Sequence, residues 1–216
     1  MASVGKAGSG PEKSIASLKG SVKLIVQFFS YAIQSILYMR EIYDEKSFMK
    51  VTEYGVALQV TKDPVLREYL NKLMEQVHTL LGKGKVRQLV MVIEGIEPKI
   101  PLERWVFNVE VDERALETGR AQEGKEKSQS EIAAEIRALI KHITSANTFL
   151  PGSLPRASFD LLIYTDKNIP EPIGWEISDP RLIANPDACQ LRSFSTSIHS
   201  IGTYVCYTRD AENLVP

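Results

Sequence analysis

Residues 159–165 read Phe159-Asp160-Leu161-Leu162-Ile163-Tyr164-Thr165, a short apolar run entered from the turn-rich stretch Pro151 to Arg156. Such a run, bounded by turn residues, predicts a largely buried strand of the main sheet. The chain changes character immediately after it. From Asp166 to Pro216 it is interrupted by Pro170, Pro172, Pro180 and Pro186, and only Leu191 to Ser200 and Thr203 to Thr208 have an extended pattern. Stretches of this length without regular structure are usually lids, binding loops or disordered tails. Trp175, Ile183, Leu191, Phe194, Ile198 and Tyr204 are residues of buried type, which argues against plain disorder. A movable segment that docks satisfies both facts, with Trp175 as its anchor, since a lone tryptophan in a proline-rich stretch pins it down.

Working back toward the N-terminus, Ser128-Gln129-Ser130-Glu131 has the capping-box spacing, in which serine and glutamate satisfy each other's backbone N–H groups. It precedes the stripe Ile132, Ile136, Leu139, Ile140 and Ile143, so a helix is expected from there to about Asn147. Asp112 to Lys127 is charged and lacks periodicity, and is read as a solvated loop. Val86 to Glu94 and Leu102 to Val111 are β-rich runs around a turn region with Gly95, Pro98 and Pro101, which predicts an antiparallel hairpin. Asp63-Pro64 supplies an N-cap and a proline at the first helical position. The helix it opens carries the stripe Leu66, Leu70, Leu73, Met74, Val77, Leu80 and Leu81, and Gly82 and Gly84 suit a left-handed terminus. Phe48 to Thr61 alternates with period two and is read as one strand. Ser14 to about Tyr43 repeats apolar residues at three- and four-residue steps, and Phe28 and Ala32 widen its stripe, so a central helix is predicted.

With 216 residues, 44% of them hydrophobic, the chain can bury a substantial core as one domain. A formal charge of -1 with interspersed signs lacks the basic stripe of a nucleic-acid binder. Cys189 and Cys206 form no CxxC pair, and a reducing compartment fits them. No uninterrupted apolar stretch approaches the roughly 18 to 20 residues that span a bilayer, so no membrane insertion is expected. His78, His142 and His199 lie far apart, without Cys or carboxylates at metal-ligand spacing, so no metal or other cofactor is predicted. Phosphate-binding, nucleophile-elbow and zinc-protease motifs do not occur, and Glu94/Glu97 and Glu131/Glu135 are read as solvated charge. No catalytic residue is assigned, and binding is favoured over catalysis.

Several strings together resemble the HORMA-domain proteins of the spindle assembly checkpoint. They are Leu102-Glu103-Arg104-Trp105-Val106-Phe107, Phe149-Leu150-Pro151, Ser158 to Lys167, Leu191-Arg192-Ser193-Phe194 with Ile198-His199, and near the start Phe28-Phe29-Ser30 with Ser35-Ile36-Leu37-Tyr38. The resemblance implies an α+β HORMA fold, with three helices packed on an antiparallel β-sheet and a mobile C-terminal safety belt. It divides the chain into a flexible tail over 1–13 and a HORMA domain over 14–216, with the belt at 167–216. The belt has open and closed positions, and its movement across the sheet frees the edge of the strand holding Phe159, Asp160, Leu161, Leu162, Ile163, Tyr164 and Thr165. A partner's closure motif then pairs with that edge by β-augmentation. Trp175, Leu191, Arg192, Phe194, Ile198, His199 and Tyr204 fall in the belt, where Arg192 either meets the belt's own carboxylates, the reading preferred here, or lies on the surface.

The implied partners are a coiled-coil kinetochore receptor, the activator of the anaphase-promoting complex, and an AAA-plus remodelling ATPase with its HORMA-like adaptor. A second copy of this chain is a further implied partner, in an open–closed self-dimer. Nuclear, kinetochore and cytoplasmic locations follow, with the nuclear envelope in interphase. The dimer forms through the third helix, where the family carries arginine then glutamine and this chain carries Lys141 and His142. Lysine keeps the charge and loses the planar, bidentate geometry of guanidinium. A HORMA subunit of a translesion polymerase or a meiotic chromosome axis is the alternative.

Overall fold

A computed structural model describes residues 15–97, 99–152, 154–166 and 175–209. The proposed tail over 1–13, and the belt residues 167–174 and 210–216, lie outside them. Helix α1 (Leu18–Met39) starts where the Ser17 side chain accepts the Gly20 N–H. It is long and apolar enough to cross a bilayer. Here it is the core helix, with Val22, Ile25, Phe28, Phe29, Ala32, Ile33, Ile36 and Leu37 all buried. Hydrophobic transfer out of water makes such a stripe the main stabilising contribution of the helix.

The single strand expected over Phe48 to Thr61 is two, β1 (Phe48–Glu53) and β2 (Val56–Thr61), paired as a hairpin. Tyr54 and Gly55 both have positive φ, 49° and 68°, as a two-residue hairpin turn requires. A two-residue turn preserves the period-two pattern across it, which is why periodicity alone reads straight through. Helix α2 (Pro64–Gly82) has the Asp63 cap, whose carboxylate accepts the Val65 and Leu66 N–H groups.

Strands β3 (Val86–Gly95) and β4 (Pro101–Val111) form the expected hairpin. The predicted solvated loop contains a helix instead, α3 (Glu113–Thr118), capped by Asp112 and closed by Gly119 at φ 71°. Only Ala115 of α3 is buried, so too few apolar positions repeat for the helix to show in the sequence. Helix α4 (Gln129–Thr144) carries the complete Ser128/Glu131 capping box and buries the predicted isoleucine-rich stripe.

Four further strands complete the main sheet: β5 (Ala157–Thr165), β6 (Asp187–Gln190), β7 (Phe194–Ser195) and β8 (His199–Tyr207). The spatial order is β5-β3-β4-β8-β6, antiparallel throughout, with β7 also on β8. The long helices share one face of this sheet. On the other face Val90, Val92 and Val106 form a small apolar patch flanked by Leu162, Tyr164 and Tyr204. Beneath the end of α1, the buried Arg40 guanidinium reaches the Glu103 carboxylate at 2.8 Å and also donates to Asn147 and the Pro151 carbonyl. The same Glu103 accepts the Trp105 indole N–H at 2.9 Å, so this polar knot ties α1, β4 and the chain leading to β5.

Candidate functional site

The two edges of the β5-β3-β4 unit differ. Along β4, strand β8 pairs from Glu103↔Tyr207 to Val111↔His199. Along β5, β3 supplies one side, from Val86↔Thr165 to Gly95↔Ala157, and among the described residues nothing pairs with the other. The prediction of a largely buried strand is therefore corrected: Leu161 alone is buried, and Phe159, Asp160, Leu162, Ile163 and Tyr164 are half-buried, with Thr165 exposed. Phe159, Leu161 and Ile163 point to the helix side, while Leu162 and Tyr164 meet the apolar patch on the opposite face. Phe159 lies against Tyr43 and Tyr69, with ring centroids 6.2 and 6.1 Å apart. Burial, and secondarily the Asp160 charge, lifts the Tyr69 phenol above its usual pKa and keeps it protonated. An exposed edge of this kind presents N–H and C=O groups without strand partners and is a template for one more strand.

Residues 175–183 pass back over this side of the molecule without joining the sheet. The Trp175 indole N–H donates to Gln76 of α2, and its ring packs at the border of the core. Six residues on, Arg181 reaches Glu94 at 2.8 Å and Asp160 at 2.6 Å, so it ties this strap to β3 and β5 together. Arg181 has φ 46°, a left-handed conformation uncommon for arginine. Glu94 is 4% exposed and has Lys99 at 3.5 Å on its other side, which corrects its reading as solvated charge. Glu131 is exposed, as its reading as solvated charge expects, and closes the predicted cap of α4, while Glu135, half-buried, meets Lys127 at 2.6 Å.

The second half of the C-terminal segment is set into the core. Leu191, Phe194, Ile198, Ile201 and Val205 are buried, and the Phe194 ring sits 4.7 Å from that of Phe28 on α1. His199, 2% exposed, has Nδ1 at 2.7 Å from the Ser21 hydroxyl, which is itself 2.7 Å from Thr196. Its Nε2 is buried without a partner, and burial lowers its pKa to about 4. This histidine is neutral at physiological pH. Lys127 donates to the Ser195 carbonyl and hydroxyl, and Glu135 accepts the Ser195 N–H at 3.0 Å.

Arg192 does not meet the belt's carboxylates. Its side chain is exposed and forms no ion pair among the described residues, while its backbone N–H donates to His142 Nδ1 at 3.2 Å. His142 thus contacts the belt of its own chain, and Lys141 beside it is exposed on α4. Tyr204 is half-buried on the helix-free face and Trp175 stands apart from it on the strap. Glu94, Asp160 with Arg181, and the Ser21-Thr196-His199 group escaped sequence reasoning as ties of the belt, because each joins residues far apart in the chain. The closest signal was Arg181 directly after Pro180, a charged residue in a segment with few other cations.

No group of three or more His, Cys, Asp or Glu residues capable of holding a metal occurs among the described residues. The arrangement offers a strand edge, a strap in front of it and a docked anchor behind, which is machinery for holding a chain segment.

The HORMA domain family model matches residues 21–199. The mitotic spindle assembly checkpoint protein MAD2A of Mus musculus is 46% identical over 191 residues, 88% of this chain and 92% of its own. A chain in the crystal structure of the mitotic checkpoint complex is 37% identical with a TM-score of 0.79, covering 88% of this chain and 99% of that one. HTP-2 of C. elegans bound to the HIM-3 closure motif shares the fold at 11% identity, with a TM-score of 0.72 over 89% of this chain and 92% of that one. Matched over most of its length by the family and by its checkpoint branch, the chain belongs to the HORMA-domain proteins and, among them, to the MAD2 spindle assembly checkpoint group.

Proposed function

We propose that this chain is a non-catalytic spindle assembly checkpoint adaptor, which captures a partner's closure motif as an extra strand on β5 beneath the belt of residues 167–216. The observation that supports it is the edge of β5, unpaired among the described residues, behind a strap fixed at Trp175 and Arg181. The belt docked on β4 corresponds to the closed arrangement. Backbone pairing supplies affinity and the alternating pockets beside Phe159, Leu161 and Ile163 supply selection. Roughly six backbone bonds at about 1 kcal/mol each fall short of the 8.2 kcal/mol of a micromolar complex, even before association entropy. Slow release therefore comes from topology: the peptide leaves only when the strap detaches.

In this reading 14–216 is the HORMA domain and 1–13 a tail engaged by an AAA-plus ATPase with its HORMA-like adaptor. The captured partners are a coiled-coil kinetochore receptor and the activator of the anaphase-promoting complex, whose sequestration delays anaphase at kinetochores, in the nucleus and in the cytoplasm. The exposed Lys141 belongs to an α4 surface for open–closed self-association, and a Lys141→Glu variant that dimerises like wild type in light scattering removes that assignment. The 46% identity to the mitotic spindle assembly checkpoint protein MAD2A of Mus musculus favours the checkpoint over a translesion polymerase subunit or a meiotic axis.

The test is capture of a labelled closure-motif peptide from a checkpoint receptor, followed by a chase with unlabelled peptide. Release over hours, sped about tenfold by Arg181→Ala at an unchanged melting temperature, supports topological capture. Release within seconds, or no binding, contradicts it.

A further inference from the structure

Residues 191–195 of the C-terminal segment are held from α4 by two side chains. Glu135 and His142 stand seven residues apart on that helix, two turns, and so lie on one face. Glu135 accepts the Ser195 N–H at 3.0 Å, and His142 accepts the Arg192 N–H at 3.2 Å through Nδ1. The Leu191 N–H goes instead to the Thr203 carbonyl of β8. Leu191 and Phe194 are buried, so the amides that the sheet leaves over sit at the rim of the core, and α4 supplies their acceptors.

The two acceptors differ in what a proton does to them. An imidazole accepts only while neutral, since both of its nitrogens carry hydrogen once it is charged, and turning the ring over restores nothing. Histidine is also the side chain whose charge changes between about pH 5 and 8. The charged groups on the elements packed here are Glu135 and Lys141 on α4, Lys127 just before that helix, Arg192 on the C-terminal segment, and Arg40 at the end of α1, engaged by Glu103 and Asn147. Strand β7 and the turn at 146–148 carry none. Lys141 and Arg192 are exposed and repel an imidazolium, and Arg192 draws near only when its segment is docked. The C-terminus of α4 attracts an imidazolium whether or not the segment is docked, and so leaves that balance unchanged.

We propose that His142 is a positioning residue for the C-terminal segment, whose neutral imidazole holds residues 191–195 against α4 and lets them go as the pH falls below neutrality. The sign follows from the acceptor role. Docking needs the neutral ring, so the docked chain takes up a proton less readily than the undocked one, and the hold is present at the alkaline side and lost as protons bind. The opening is local, because β8 keeps its full ladder on β4 while residues 191–195 loosen. A glutamine at this position, which accepts a hydrogen bond and does not titrate, would hold the segment without that sensitivity.

The test uses the full chain without any peptide and follows exchange of the Arg192 amide by NMR at pH 7.5 and 5.5, each expressed as protection relative to an unstructured chain. Wild type is expected to lose about threefold of that protection between the two, while Val205 on β8 keeps its own. His142→Gln is expected to match wild type at pH 7.5 and to stay within about 1.5-fold of that value at pH 5.5. His142→Ala is expected to be about fivefold less protected at both. His199→Gln is expected to keep the wild-type pH dependence, which separates this histidine from the buried one. An Arg192 amide in wild type that is equally protected at both pH values, the same loss in His142→Gln, or full protection in His142→Ala at pH 7.5 overturns the assignment. Peptide capture at β5 is not read in this experiment, so failure of that proposal and failure of this one are seen separately.

Discussion

The C-terminal segment treats the two sides of the sheet in opposite ways. On the β4 side it contributes a full strand, and its anchors Phe194, Ile201 and Val205 are as buried as any residue of α1. On the β5 side it forms no strand among the described residues, and beside the Trp175 ring at the border of the core its ties are Trp175 to Gln76, and Arg181 to Glu94 and Asp160. Hydrophobic burial and a strand ladder are lost only through large openings, whereas a few side-chain bonds at a half-exposed rim open locally. One half of the segment is a foundation and the other a gate, and the proposed capture requires both.

The largest effect is expected where the foundation meets α1. Phe194→Ala removes a ring packed on Phe28 and should cost about 3–5 kcal/mol, by the usual range for buried phenylalanines. Urea unfolding should show that loss, and hydrogen exchange should show β7 and β8 released first. A variant as stable as wild type would erase the distinction between the halves.

Acid should also act on the foundation. Folding lowers the His199 pKa from 6.5 to about 4, so below pH 6.5 the unfolded chain takes up a proton that the folded chain refuses. Its contribution is complete above pH 6.5 and is lost as the pH falls toward 4, reaching roughly 3 kcal/mol. His199→Gln should flatten the fall in melting temperature between pH 6.5 and 4.5, and an unchanged slope would assign it to other groups.

At the gate, Arg181→Ala should barely alter global stability. It removes the tie to Asp160 and leaves the buried Glu94 with Lys99 at 3.5 Å, loosening the strap by about 1–2 kcal/mol and speeding peptide release roughly tenfold. Unchanged release would place the rate-limiting opening elsewhere. The smallest effect is expected for Lys127→Met, whose contacts with Glu135 and Ser195 are partly exposed and should contribute about 0.5–1 kcal/mol in chemical denaturation.

Much of the frame could be read from the chain alone because its signals are local. The Asp63-Pro64 start and the Ser128/Glu131 box lie within one helical turn of what they cap, and both stripes face the core as predicted. The Tyr54-Gly55 turn and α3 were missed for opposite reasons: one leaves the period intact and the other is too short to establish one. At the candidate site, the strand 159–165 and the docking character of the tail were legible. Its edge position was not, because an apolar run reports burial and not which neighbours supply it. Likewise Glu94 looks like surface charge until Arg181, far along the chain, arrives beside it.

The most direct measurement is amide hydrogen exchange of residues 159–165 with and without a saturating closure-motif peptide. The account predicts that alternate amides of β5, those facing away from β3, exchange freely in the unliganded closed protein and become strongly protected in the complex. Strong protection of β8 alone, with the β5 amides unchanged by a peptide that is demonstrably bound, would show that the partner is held elsewhere and contradict capture at this edge.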